Sequence, residues 1–195
     1  LTGTGVYDSQ QGLIDENDSD LAMGLLESGF RDPKQIEEIV NSAKKNGLGA
    51  DDVKGFAKDF GQVSKNGLKN TSDEIAQAYK VGKDASHLKR GLSTISNPKN
   101  DAGFRKNHIM NRHKHGAGKP GKTEFPANWD DQRILHNISD VAKDPAAVKG
   151  ASRYGEYVLV YRDGVLIRVE LFPANHPRFP GAISSGFPIN VKPNP

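Results

Sequence analysis

The stretch EYVLVYRDGVLIRVELF, residues 156 to 172, sets two runs of Val, Leu, Ile and Tyr on either side of Asp163–Gly164. β-Branched and aromatic side chains suit a pleated, half-buried surface, and Asp-Gly tolerates the positive φ that a two-residue hairpin turn demands. The segment predicts two antiparallel strands. Downstream, AISSGFPINV (182–191) reads as a final strand, with FPANHPRFPG (172–181) as a looped connection. Upstream, WDDQRILHNISDVAKDP (129–145) places Ile134, Leu135, Ile138, Val141 and Ala142 on one helical face, and Pro145 marks its stop. The order from residue 104 is loop or strand, helix, hairpin, strand. That order predicts an α+β domain in which one helix packs on an antiparallel sheet.

The first half has another character. DPKQIEEIVNSAKKNG offers Asp32 as N-cap, Pro33 in the first turn, a face of Ile36, Ile39, Val40 and Ala43, and Gly47 just past the end. SDLAMGLLESGF, ADDVKGFAKDF and TSDEIAQAYKVGKDASHLKRG read as further helices, the last opening on a Thr71 to Glu74 capping-box spacing. STISNPKNDAG (93–103) has linker composition, so the predicted division is a helical region over 1–103 and a second domain over 104–195.

Composition narrows the function classes. No apolar run is long enough for a membrane helix, and residues 1–18 lack the basic-then-apolar pattern of a leader. The absence of cysteine excludes disulfides, thiolate metal sites and a cysteine nucleophile, which suits a chain that crosses redox compartments. The net charge of +3 is unevenly spread: residues 1–103 carry 13 Lys/Arg against 16 Asp/Glu, and residues 104–195 carry 14 against 8. Between Arg105 and Lys122 lie six Lys/Arg and no acid. Such a field attracts a polyanion.

The same basic run, NHIMNRHKHGAGKPGKTEFP (107–126), holds His108, His113 and His115. If the chain is extended there, His113 and His115 share one face, and three imidazoles are a conceivable ligand set. However, the spacing matches no metal signature, and lysines and arginines without carboxylates repel a cation. RNA strand cleavage without metal needs a base for the ribose 2′-hydroxyl, an acid for the departing 5′-oxygen and a fixed cation for the phosphorane. Two histidines and a lysine meet that list, because imidazole offers both protonation states near neutral pH and lysine is a compact fixed charge. On residues alone, two other readings stay open: a non-catalytic RNA-binding module and a metal-dependent histidine nuclease.

Three blocks in this order, NHIMNRHKHGAGKPGKTEFPANWDDQRILHNISDVAKDP, YRDGVLIRV and ISSGFP, give residues 104–195 a resemblance to the EndoU-like endoribonucleases. The chain resembles in particular the bacterial EndoU toxin domains at the C-terminal ends of contact-dependent inhibition and other polymorphic toxins. The resemblance implies metal-independent or metal-stimulated transesterification through a His-His-Lys triad, leaving a 2′,3′-cyclic phosphate, with no cofactor. By motif, His108 matches the first histidine, His113 the second and Lys122 the lysine, which in the family lies on a strand leading into the helix. Asn111-Arg112 stands before His113 where relatives carry small residues, and the spacing from His108 to His113 is shorter than in the eukaryotic and viral relatives, which makes His115 the alternative second histidine. Relatives that prefer uridine end in a Thr-Ala-Tyr-Pro-like segment. Here it is Ser185-Gly186-Phe187-Pro188, whose ring can stack but has no hydroxyl. Ser185, Phe187, His115 and Arg112 are the expected substrate-binding residues. The implied setting is a secreted or surface-delivered effector fragment acting on RNA, tRNA foremost, in a target-cell cytoplasm. An acidic cognate immunity protein is the implied partner.

Overall fold

The computed structural model describes residues 16–27, 29–84 and 102–195. Helices α1 (Glu16–Glu27), α2 (Pro33–Lys45), α3 (Ala50–Lys65) and α4 (Ser72–Asp84) come first. A 3₁₀ turn, Ala102–Arg105, then leads into α5 (Lys106–His113), and α6 (Asp131–Lys143) follows a long loop. The strands are β1 (Val148–Ser152), β2 (Gly155–Arg162), β3 (Val165–Leu171) and β4 (Ile183–Pro188). They form one antiparallel sheet in the order β1-β2-β3-β4. The predicted linker falls mostly on residues 93–101, and the C-terminal part of the fourth predicted helix on 85–91; both lie outside the described residues, as do positions 1–15 of the stretch read for a leader.

Local signals explain most of these elements. The β2–β3 turn has Asp163 at φ 49° and Gly164 at φ 84°, as the Asp-Gly pair predicts. Asp32 caps α2 by accepting from the Lys34 amide at 3.0 Å. At α4 the capping box is reciprocal: the Thr71 amide donates to the Glu74 carboxylate (3.0 Å), and the Glu74 amide donates to the Thr71 hydroxyl (3.2 Å).

Side-chain alternation sends the sheet's two faces into separate cores. Val158, Val160, Ile167 and Val169 join Ile134, Ile138 and Val141 of α6, together with Ile109, Phe125 and Trp129. Leu159 and Leu166 point the other way, into a core with Leu25 of α1, Ile39 of α2, Phe56 of α3 and Ile75 of α4. Both faces are therefore covered, which is why β2 and β3 read as near-continuous apolar runs. The sheet accepts two arginines by pairing them. Arg162, 1% exposed, meets Asp140 at 3.1 Å and also Asp144 of the α6 end. Arg168 lies 3.8 Å from the centroid of the Tyr157 ring and bonds Glu170 at 2.6 Å.

Two elements differ from expectation. Residues 106–113 are helical, not loop or strand, so His113 and His115 are not neighbours on one strand face. This helix turns Ile109, Met110 and His113 inward, and tertiary burial of that short stripe overrides its polar composition. Strand β1, VKGAS, extends the predicted hairpin at its far edge. Its Gly150 faces the Tyr157 ring so closely that a Cβ would fall 2.2 Å from it.

Candidate active site

The predicted triad lies where α5, the loop over 114–130 and β4 converge. Arg105, at the end of the 3₁₀ turn, donates through Nε to the Ser184 carbonyl at 2.9 Å, tying the start of α5 to β4. One helical turn further on comes His108, and one turn beyond that Arg112, whose Nη1 stands 3.2 Å from His108 Nδ1. A guanidinium can only donate, so His108 Nδ1 accepts and its proton resides on Nε2. Desolvation first, then the charges of Arg105, Arg112 and Lys122, press the His108 pKa down to about 4.

His113 ends the same helix with the opposite tautomer. It is buried, and its Nδ1 lies 2.7 Å from the Thr123 carbonyl oxygen. A carbonyl can only accept, so Nδ1 carries the proton and Nε2 keeps its lone pair. Burial lowers its pKa to about 4, helped by the charge of Lys122, while the Thr123 bond opposes the shift. The imidazole stacks on Phe187 of β4, centroids 5.1 Å apart and planes at 20°. One face of Phe187 is thus occupied by protein. Ser185 sits two residues before it on the same side of β4, opposite Glu170.

The glycine-rich loop is held by two side chains that its composition does not announce. The Glu124 carboxylate accepts from the Gly116 amide (2.8 Å), the Gly118 amide (2.7 Å) and Asn194 Nδ2 (2.8 Å). These bonds, Asn194's foremost, hold its pKa below the ordinary range. The Asn194 backbone adds two bonds of 2.9 Å, its carbonyl accepting from the Gly121 amide and its main-chain N–H donating to the Lys122 carbonyl, while side-chain Nδ2 donates to the Lys119 carbonyl at 3.2 Å. Lys122 is clamped on both backbone sides and exposes its side chain. It lies in this loop rather than on a strand. Thr123 donates its hydroxyl to the Pro188 carbonyl at 2.6 Å, and the Phe125 amide donates to the His113 carbonyl at 2.7 Å.

His108, His113, Lys122 and Arg112 therefore share one electrostatic neighbourhood. His115 turns outward, its ring largely exposed and Nδ1 3.7 Å from Glu124. The acid-free run of sequence is not acid-free in space: Asp131, at the start of α6, pairs with Lys114 at 2.6 Å and Lys106 at 3.5 Å. Among the described residues, no three His, Asp or Glu side chains gather as a metal-ligand set.

A family model described as bacterial EndoU nuclease matches residues 61–190. The chain belongs to that family. As an EndoU nuclease it is matched from the last turn of α3 through β4, further toward the N-terminus than the resemblance legible from residue 104. The span takes in His108, His113, Lys122, Ser185 and Phe187, and stops short of Asn194. Comparison with curated proteins and with solved structures finds no match.

Sequence reasoning passed over three residues of this nuclease. Thr123 and Glu124 lie inside the quoted GKTEFP block, whose polar residues between glycine and proline are a signal of fixed backbone. Asn194 had no such signal, because its role depends on a segment far along the chain returning to the loop.

Proposed function

We propose that this EndoU nuclease is an antibacterial toxin that cleaves RNA, tRNA foremost, by 2′-hydroxyl transesterification. His113 is the base, taking the 2′-hydroxyl proton on Nε2. His108 is the acid: once charged to the imidazolium it gives its Nε2 proton to the departing 5′-oxygen and keeps the proton on Nδ1, which Arg112 must vacate for that step. Lys122 supplies fixed charge to the phosphorane. The observation that carries this reading is that His108 Nδ1 faces a donor, Arg112 Nη1, and His113 Nδ1 faces an acceptor, the Thr123 carbonyl, with the charge of Lys122 acting on both rings. A base must present a lone pair to the hydroxyl, as His113 Nε2 does, and an acid must be charged before it gives up its proton, as His108 is when a phosphate lies beside it. An incoming phosphate, being anionic, favours the charged form of His108 and so loads the acid when substrate arrives. The same geometry favours His113 over His115 as second histidine, because His115 is turned toward Glu124.

The intramolecular nucleophile makes the products diagnostic. Cleavage of a total RNA pool should leave 2′,3′-cyclic phosphate ends and proceed in EDTA. A 5′-phosphate product that disappears with chelator would refute the reading. Delivery to a target-cell cytoplasm and silencing by an acidic immunity protein belong to the same proposal. They are supported by the resemblance to C-terminal toxin domains and by the basic excess of residues 104–195. Expression in a susceptible cell should be toxic, and toxicity should vanish with His108→Ala.

A further inference from the structure

The loop between β3 and β4 and the 3₁₀ turn before α5 bring four ring systems together. Phe104 and Phe179, each 39% exposed, have centroids 5.4 Å apart. Phe172 lies 5.8 Å from Phe179 and 4.5 Å from His176, and His176 stacks on Phe179 at 16°. Apolar rings are ordinarily buried; two large ones left half in water beside two others form a patch that a partner can cover. The cluster is braced from within. His176 Nδ1 accepts from the Phe179 amide at 3.0 Å and the Arg178 amide at 3.3 Å, which fastens the backbone that carries Phe179.

The charge around the rings selects the partner. The Arg105 guanidinium lies 5.6 Å from the centroid of Phe172, Arg178 is exposed, and neither 102–108 nor 171–182 contains an acid, the nearby Asp131 being paired with Lys106 and Lys114. Cations interleaved with exposed π faces suit a single nucleic-acid strand, whose bases stack and whose phosphates pair. Arg105 also fixes the location. It is one helical turn before His108, and its charge acts on that ring.

We infer that Phe104 and Phe179, flanked by Arg105 and Arg178, form a stacking subsite for an RNA base outside the scissile step, on the His108 side of the active site. This inference rests on the reading of the protein as an RNA-cleaving enzyme. It is separate from Phe187, which is already stacked on His113.

The test uses the whole chain and a mixed-sequence single-stranded 12-mer with 2′-O-methyl riboses, which transesterification cannot cut, titrated across a salt series. Phe104→Leu and Phe179→Leu each weaken binding about tenfold, the low end of what stacking of one base contributes. Their dependence on salt is unchanged, because a ring releases no counterions. Phe179→Tyr restores affinity, which a purely apolar packing role would not distinguish from leucine. Arg178→Ala weakens binding and lowers the salt slope by about one. Leucine variants that bind and cut RNA like wild type overturn the subsite and leave the RNA-cleaving reading intact. Loss of binding in the leucine variants while His108→Ala still cuts supports the subsite and refutes the triad. A wild-type chain that neither binds nor cuts RNA overturns both.

Discussion

Two imidazoles five residues apart on a short helix face opposite neighbours at Nδ1, the Arg112 donor for His108 and the Thr123 carbonyl acceptor for His113. His108→Ala, His113→Ala and Lys122→Ala should each lower RNA cleavage by roughly 10² or more, as loss of an acid, base or charge stabiliser does. His115→Ala should keep most activity, since that ring lies over Glu124. Inactive His115→Ala beside active His113→Ala would reverse the assignment. Asn194 is expected to act through Lys122 as a positioning residue. Asn194→Ala should reduce kcat with little change in KM and speed amide exchange at Gly116 and Gly118, which donate to the Glu124 carboxylate that Asn194 Nδ2 holds. In a Lys122→Ala background it should cost nothing further, because residues that act as a unit are not additive. Independent losses in the double variant would assign Asn194 a general structural role.

At the scale of elements, what the sequence disclosed and what it concealed divide by how local the cause is. The hairpin, α2, α4 and α6 were legible because caps, turn residues and apolar spacing lie within each segment. Helix α5 was not: KNHIMNRH has a weak stripe, and its helicity comes from burying Ile109, Met110 and His113 and from the tie of Arg105 to Ser184. Strand β1 was concealed by small and polar residues that pair only because β2 offers an edge. In the site, His108, His113 and Lys122 were legible as chemistry, but the tautomers and the role of Asn194 required three-dimensional neighbours. Glycines make the same distinction measurable. Gly55 of α3 has its nearest neighbour for a Cβ at 3.8 Å, whereas a Cβ on Gly82 of α4 would fall 2.2 Å from the Tyr161 carbonyl oxygen. Gly55→Ala should therefore stabilise by about 0.5–1 kcal/mol, and Gly82→Ala should destabilise by about 1–3 kcal/mol as α4 is forced off β2. Denaturant unfolding reads both, and equal signs would contradict this packing.

For the whole molecule, the two depressed histidines link stability to pH. Each has a folded pKa of about 4 against an ordinary 6.5, so between these values the unfolded chain binds more protons than the folded one. Their contribution is fully present above pH 6.5 and is lost as pH falls through about 4. The melting temperature should fall on acidification across that window. His113→Asn, whose amide can still donate to the Thr123 carbonyl, should flatten part of the slope; an unchanged slope would remove His113 as a cause. The basic excess of residues 104–195 bears on association. An acidic inhibitor covering the site should associate more slowly as salt rises, since screening shortens the attraction to about 8 Å at physiological ionic strength. Neutralising Arg112 and Lys119 should slow association more than it speeds release. A salt-independent rate in stopped-flow binding would place the inhibitor elsewhere.

The hydrogen bonds from Asn194 to the Lys119 carbonyl and to Glu124 close loops of 75 and 70 residues in sequence separation. Contacts of that range cost more chain freedom to close than local ones do. A polypeptide that emerges or is threaded N-terminus first therefore carries both histidines and the lysine long before the clamp on Lys122 exists. That fastening is supplied by a segment beyond α6 and the entire sheet, so the site is not complete until residue 194 has returned to the loop.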